Sequence, residues 1–273
     1  MKLPPFEYAC PITINEAVAL LANHSGEAKA LAGGQSLMPM MAFRIAQPSL
    51  LVDLRKLPGL KEIKIGADGV RLGALVRWRD ILDDRRLATA HPLLQEAVSH
   101  VAHYQIRNRG TVGGSLAHAD PASEMPGIAQ TCDAEIAVTG KAGARIIKAA
   151  DFFKGALTTA LEPDEIITKV QFPKPSKAGY VKFPNPASRF ALVGVFVSKR
   201  SSEIRVAVTG AGANGVFRVP AFEEALKKRF GPKSLEGMTV PADGMASDIH
   251  GSAEYRAHLI GVLARRAVAA AVA

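Results

Sequence analysis

The sequence predicts an α+β fold, and three observations carry that prediction. Its 273 residues are 48% hydrophobic and 22% charged, the balance of a globular protein with apolar mass for one large core or two smaller ones. Strand-like and helix-like runs are mixed in a larger N-terminal part, whereas strands precede helices in a smaller C-terminal part, so strict βαβ alternation is absent. Residues 173–179 (PKPSKAG) place two prolines and a glycine among charged neighbours and read as a linker. At roughly 150 residues per domain, about two units are expected. The expected boundaries are 1–176 and 177–273.

Asn15 stands ahead of Glu16, Ala17, Val18, Leu20 and Leu21, an N-cap before an amphipathic helix. A short strand over 28–31 runs into Ala32, Gly33, Gly34, Gln35 and Ser36, and Leu37 with Pro39 opens a short helix over 37–45. Buried strands are expected over 50–54 and 70–76. Helical periodicity covers 78–86 and 91–103, with Pro92 suited to a first turn. Residues 104–109 lead into a second glycine loop, Thr111 to Ser115. Strands follow over 135–139, 144–148 and 165–172, separated by turn residues such as Gly140 and Gly143. Past the linker, strands over 180–183, 190–198 and 203–209 form a small antiparallel sheet, with helices over 221–230 and 252–270. Arg256, His258, Arg265 and Arg266 mark the last helix as a surface helix and exclude a membrane span.

Lys plus Arg number 34 against 25 acidic residues, a formal charge of +9, yet the cations are scattered and only 227–229 form a run of three. That is weaker than a nucleic-acid arm, and aromatics at 6% do not interleave with the basic residues, so nucleic acid is not the expected partner. Two cysteines, Cys10 and Cys132, cannot supply four thiolates, so any iron–sulfur cluster belongs to another chain. With no signal-like segment and no long apolar run, the expectation is a cytoplasmic protein with reduced thiols. The P-loop, G-x-S-x-G and H-E-x-x-H patterns are all missing from the sequence.

The two Gly-Gly loops carry the most chemistry. Adjacent glycines let backbone N–H groups converge without Cβ obstruction, a nest suited to phosphate, and two nests match the two phosphates of a dinucleotide; plain tight turns are the alternative. Residues 107–126 are dense in polar and flexible types, as in a binding loop. His118, Asp120 and Glu124, with His100 and His103 nearby, fit no metal-spacing template and read better as solvated or ligand-bonding side chains. Gly210, Gly212 and Gly215 spell G-x-G-x-x-G, but no helix start follows and no acidic residue stands about 20 positions on, so this is a hairpin or loop.

AGGQSLMPMM at 32–41 and RNRGTVGGSLAHADPASEMP at 107–126 resemble the flavin subunit of the molybdenum hydroxylases, the xanthine oxidase family, nearest in type to the medium subunit of aerobic carbon monoxide dehydrogenases. LVDL at 51–54 and EYRAHLIGVLARRAV at 254–268 extend the resemblance. It implies an FAD-binding region of the p-cresol methylhydroxylase type, made of two α+β subdomains, then a C-terminal domain of a three-stranded antiparallel sheet plus helices. It implies that Ala32, Gly33, Gly34, Gln35, Ser36 and Leu37, with Thr111, Gly113, Gly114 and Ser115, wrap the FAD pyrophosphate. Asp120, Glu124, the backbone at Ile166 or Ile167, and Lys182 then belong to the cofactor site, and Phe190 lies against the isoalloxazine. Many members have His at the position of Gln35, Asp at Glu124 and some a Tyr at Phe190.

The implied role is electron transfer without a catalytic acid or base in this chain. A large partner carries the molybdopterin-type molybdenum cofactor, a small partner carries two 2Fe–2S clusters, and FAD passes electrons on to an acceptor, in a dimer of heterotrimers. The large subunit chooses the substrate. A stand-alone flavin oxidoreductase and a basic polyanion-binding module are the competing readings.

Overall fold

A computed structural model describes residues 2–24 and 26–273; Met1 and Ser25, within the expected first unit, lie outside the described residues. Among the described residues three larger sheets organise the chain, and Phe153–Gly155 pairs with Thr158–Thr159 in a two-stranded one. Glu7–Ala9 and Ala28–Leu31 both pair in parallel with Leu50–Asp53, which lies between them and is buried throughout. The strands over 28–31 and 50–54 are expected from the sequence, whereas Glu7–Ala9 is too short to show a periodicity. Helix Ile14–Asn23 makes the first crossover. Its cap is Thr13, not Asn15: the Thr13 hydroxyl accepts from the Glu16 amide at 3.2 Å and Glu16 reaches back to the Ile12 amide at 3.0 Å, leaving Asn15 inside the helix.

The second sheet is antiparallel, in the order Ile63–Gly66, Gly69–Gly73, Ile166–Pro173, Glu135–Gly140 and Gly143–Lys148. Val170 pairs with Leu72 on one side and Ile136 on the other. Their core is shared with Leu94, Val98, Leu116, Met125 and Ile128 from the covering helices. The expected helix over 91–103 stops at Ser99, since Ala102 adopts positive φ and the Arg107 guanidinium donates to the Val101 and Ala102 carbonyls. The helix from Trp78 stops at Asp83, because the Asp84 carboxylate takes the Arg86 amide and guanidinium into a turn before Leu87–Ala90.

The linker expected over 173–179 shrinks to three residues. Pro173 still pairs with Gly69, and the next strand begins at Lys177. Lys177–Pro184, Ala191–Arg200 and Glu203–Thr209 form the antiparallel sheet, and Phe217–Arg218 adds a short fourth strand to the expected three, after the glycine-rich loop at 210–216. Helix Pro220–Lys228 follows. The last helix, Ala253–Val272, is not simply a surface helix. Leu259, Ile260, Leu263, Ala264, Ala267 and Val268 pack on the sheet, and the buried Arg256 guanidinium donates to the Leu192 and Gly210 carbonyls at 2.8 Å and to Asp248. No helix among the described residues is long and apolar enough to cross a membrane.

Helix Glu124–Thr131 joins the last two sheets and is buried along its whole length. One side belongs to the second sheet's core; on the other, a Cβ at Gly127 would lie 2.4 Å from Phe196 Cε2, so only glycine lets the ring approach.

His91 is fully buried at this level of the structure, 3.2 Å from the Pro173 carbonyl through Nε2, while Nδ1 has no partner among the described residues. Burial lowers its pKa from 6.5 to about 4, so it is held neutral. Between those values the unfolded chain binds a proton that the folded one refuses. Unfolding free energy therefore falls as pH drops through this window, by up to about 1.4 kcal/mol per pH unit. Urea unfolding of wild type and His91→Gln at pH 7, 6, 5 and 4 should show a shallower decline in the variant.

Candidate functional site

The first glycine loop leaves the parallel sheet at the end of Ala28–Leu31 and enters helix Leu37–Ala42. Gly33 is required by a close approach: a Cβ there would lie 2.2 Å from the Arg109 carbonyl oxygen and 3.0 Å from Gly110 Cα. Contact with the second loop's approach thus fixes the first. The amides of Gly34, Gln35 and Ser36 meet no protein acceptor among the described residues. Gln35 turns its side-chain Nε2 to the Gly33 carbonyl at 3.2 Å, and the Ser36 hydroxyl does not cap the helix. Three neighbouring free donors beside a helix start are the groups that a nest for an anion requires.

The second motif is not a loop and not a second nest. Thr111 is the N-cap of helix Val112–His118, and the amides from Val112 to Ser115 are already used. Val112 donates to the Val76 carbonyl at 3.0 Å, Gly113 to Ala74 at 2.8 Å, Gly114 to the Thr111 hydroxyl at 3.2 Å and Ser115 to the Thr111 carbonyl at 3.0 Å. Gly113 serves packing, since a Cβ there would lie 2.6 Å from Ala74 Cβ. Gly114 lies beside Ala32, where a Cβ would sit 3.7 Å from the Ala32 methyl. The motif therefore presents a side-chain-free surface and the hydroxyls of Thr111 and Ser115.

Beyond it, the Ser115 and Ser123 hydroxyls are 2.8 Å apart, which leads directly to Glu124 at the start of the next helix. Glu124 and Lys182 form an ion pair at 2.5 Å with side chains only 4% and 3% exposed. Burial pushes the Glu124 carboxyl above its ordinary range, against the opposing pull of the Lys182 ammonium. Asp120 Oδ1 accepts from the Ala122 amide at 2.8 Å to close a turn. Ile166 and Ile167 point into the cores, and a bulge follows Ile167, where the Thr168 carbonyl takes the Ala74 amide at 3.0 Å. Ala74 in turn accepts from Gly113, so this strand supports the second motif from below. Phe190 lies outside the expected strand, which starts at Ala191; it ends a turn closed by the Asn185 amide on its carbonyl at 2.7 Å and is 48% exposed. No hydrogen bond or aromatic contact among the described residues ties its side chain to the others.

The structure thus links 32–36 to 109–115, these to Ser123 and Glu124, and Glu124 to Lys182. It also reveals residues that sequence reasoning missed. A cleft of about 290 Å³ opens beside Ala32, Gly33 and Thr111, walled by Arg55, Lys61, Arg77 and Arg109. Arg77 is paired with Asp80 at 2.7 Å. Arg55 follows LVDL directly, but its convergence with Arg109 depends on folding. Tyr180, whose hydroxyl is 3.3 Å from Glu124, was likewise unseen. Among the described residues no group of three or more His, Cys, Asp or Glu side chains can hold a metal.

Gly113→Ala should force helix Val112–His118 away from Ala74 and destabilise the fold by about 1–3 kcal/mol. Denaturant unfolding checks this, and an undisturbed midpoint would contradict the packing role.

The family model described as the FAD binding domain in molybdopterin dehydrogenase matches residues 4–175. The chain is similar to the nicotine 6-hydroxylase medium subunit of Paenarthrobacter nicotinovorans, at 40% identity over 98% of each chain. It is similar to the carbon monoxide dehydrogenase medium chain of Hydrogenophaga pseudoflava, at 33% identity over 98% of this chain and 97% of that one. Among solved structures, reconstituted CO dehydrogenase from Oligotropha carboxidovorans matches with a TM-score of 0.89 at 33% identity, covering 99% of each chain. With its glycine-approached loops and free amides in the matched region, the chain belongs to the FAD-binding family of the molybdopterin dehydrogenases.

Proposed function

We propose that this chain is the FAD-carrying electron-transfer subunit of a heterotrimeric molybdenum hydroxylase. The observation that carries the proposal is the row of unsatisfied amides at Gly34, Gln35 and Ser36, held against Arg109 in a chain of this family. These donors, with the Thr111 and Ser115 hydroxyls and the bare surface of Gly114, are suited to a diphosphate approached at close range. Arg55, Lys61, Arg77 and Arg109 place positive potential on one side of the same loop. Lys182, Glu124, the strand backbone at Ile166 and Ile167, and Phe190 mark the course expected for the rest of the cofactor. The FAD region is then 1–176, of the p-cresol methylhydroxylase type, and 177–273 closes over it.

FAD supplies a centre that takes electrons singly and releases them in pairs. This chain's part is to bind it, orient it and tune it, and neither a general acid nor a base is needed. Two cysteines in 273 residues cannot hold an iron–sulfur cluster, so on this reading the clusters belong to a small partner and the molybdenum cofactor to a large one, in a cytoplasmic dimer of heterotrimers. Relatives of comparable similarity carry names of enzymes for nicotine, carbon monoxide and caffeine. Substrate choice is therefore assigned to the large partner.

The test is an absorption spectrum and metal analysis of the chain purified with its companions. Flavin near 1:1 with this chain, and molybdenum and iron in two other polypeptides, is expected. A colourless preparation that ignores added FAD overturns the proposal. Gly33→Ala, which pushes the loop off Arg109, should weaken FAD binding at least about tenfold by fluorescence titration.

A further inference from the structure

We infer that Thr209, at the end of strand Glu203–Thr209, is a positioning residue that sets the Ser115 and Ser123 hydroxyls for the flavin diphosphate without touching the cofactor itself. The inference rests on the flavin reading above. Ser123 stands at the N-cap of helix Glu124–Thr131, yet its hydroxyl caps no amide of that helix. Proline at 126 removes one of the two amides that an N-cap hydroxyl ordinarily takes. The Ser123 side chain turns instead to Ser115, with the two oxygens 2.8 Å apart. Two hydroxyls carry two protons and this contact uses one, so the second has no protein acceptor among the described residues. Both serines are half-buried, open enough to meet a ligand oxygen.

The support for this pose of Ser123 comes from the other part of the chain. The Thr209 hydroxyl lies 2.8 Å from the Pro121 carbonyl and 2.7 Å from the Ser123 carbonyl. It has one proton to give, and the Pro121 carbonyl already accepts from the Gly210 amide at 2.7 Å. The Ser123 carbonyl has the greater need. An N-cap carbonyl ordinarily accepts the first intrahelical bond, but no Gly127 amide reaches it here. Thr209 therefore supplies the donor that the helix itself withholds. Its side chain is fully buried, so it acts on a ligand only through its neighbours, whereas the two serines it holds are open. The strand end is fixed in turn: a Cβ at Gly210 would lie 2.3 Å from the Ala191 carbonyl oxygen, and the Gly210 carbonyl accepts from the buried Arg256 guanidinium at 2.8 Å. Pro121 and Ser123 belong to the segment matched as the FAD-binding domain, and Thr209 lies beyond it.

Without the Thr209 hydroxyl, the Ser123 carbonyl loses its donor and gains one only by turning toward the Gly127 amide. That turn rotates Ser123 and carries its hydroxyl away from Ser115. Fluorescence titration of FAD into the flavin-stripped complex, with wild type and variants of this chain, reads the consequence. Thr209→Val, of the same shape but with no O–H, should raise the Kd for FAD at least about tenfold. Thr209→Ser restores the donor and should bind within about twofold of wild type. Ser123→Ala should weaken binding by itself, and adding Thr209→Val to it should change the Kd by less than about twofold, because the hydroxyl through which Thr209 acts is gone.

An equal loss of affinity from Thr209→Val in both backgrounds overturns the inference and leaves Thr209 a joint between the two parts of the chain. A Thr209→Val complex that binds FAD as wild type does, or a loss that Thr209→Ser fails to restore, overturns it as well. If Thr209→Val does not fold, Thr209→Cys, a weaker donor of similar size, takes its place: its effect on the Kd must vanish in the Ser123→Ala background, and persistence there overturns the inference. Wild-type complex that ignores FAD removes the cofactor reading itself. Wild-type complex that binds FAD, with additive effects of the two substitutions, removes only the role of Thr209.

Discussion

Burial of helix Glu124–Thr131 between two sheets is the constraint on which the remaining architecture depends. A helix closed off on all sides must satisfy each polar group it carries. Gln130 does so through the Ala149 carbonyl at 2.9 Å, Thr131 through the Gly127 carbonyl at 2.7 Å, and Glu124 through Lys182. Gly127 admits Phe196, and Ser198 donates to the Thr131 carbonyl at 2.6 Å. These contacts draw on both sheets, so the C-terminal sheet cannot slide along the helix without breaking several at once. That rigidity is what allows Lys182 to be placed beside residues more than fifty positions earlier in the chain.

The first glycine loop is arranged by a different force. Its amides stay free because neighbouring backbone fixes the loop from outside: the Arg109 carbonyl presses on Gly33 and the short helix from Leu37 pulls the chain onward. Satisfying those amides internally would have folded the loop into a turn and left nothing for a ligand. The second motif works in the opposite sense. Its amides are consumed by Ala74, Val76 and Thr111, and the resulting helix is a stiff wall. One free loop thus stands against one committed wall.

Charge follows the same division. The net charge of +9 is spread over the chain, yet Arg55, Lys61, Arg77 and Arg109 converge beside the loop, with Arg55 paired to Asp53 and Arg77 to Asp80. Deeper in, Lys182 is balanced by Glu124, so the interior acquires a directed donor without a net charge to desolvate.

Local signals in the sequence were sufficient for most elements and for the site's vocabulary. The strands at 28–31 and 203–209, the break after residue 173, the two glycine pairs and the scarcity of cysteine could all be read from neighbours within a few residues. Caps, short strands and partners could not. Thr13 rather than Asn15 starts the first helix, Glu7–Ala9 is too short to show alternation, and Thr111 to Ser115 reads as a loop until Ala74 and Val76 are seen to take its amides. Sequence alone therefore determined which residues have the flexibility and the hydroxyls to meet a phosphate. Tertiary structure decided which of their amides remain available, because Val76 and Ala74, which take the Val112 and Gly113 amides, are distant in sequence and brought near only by folding.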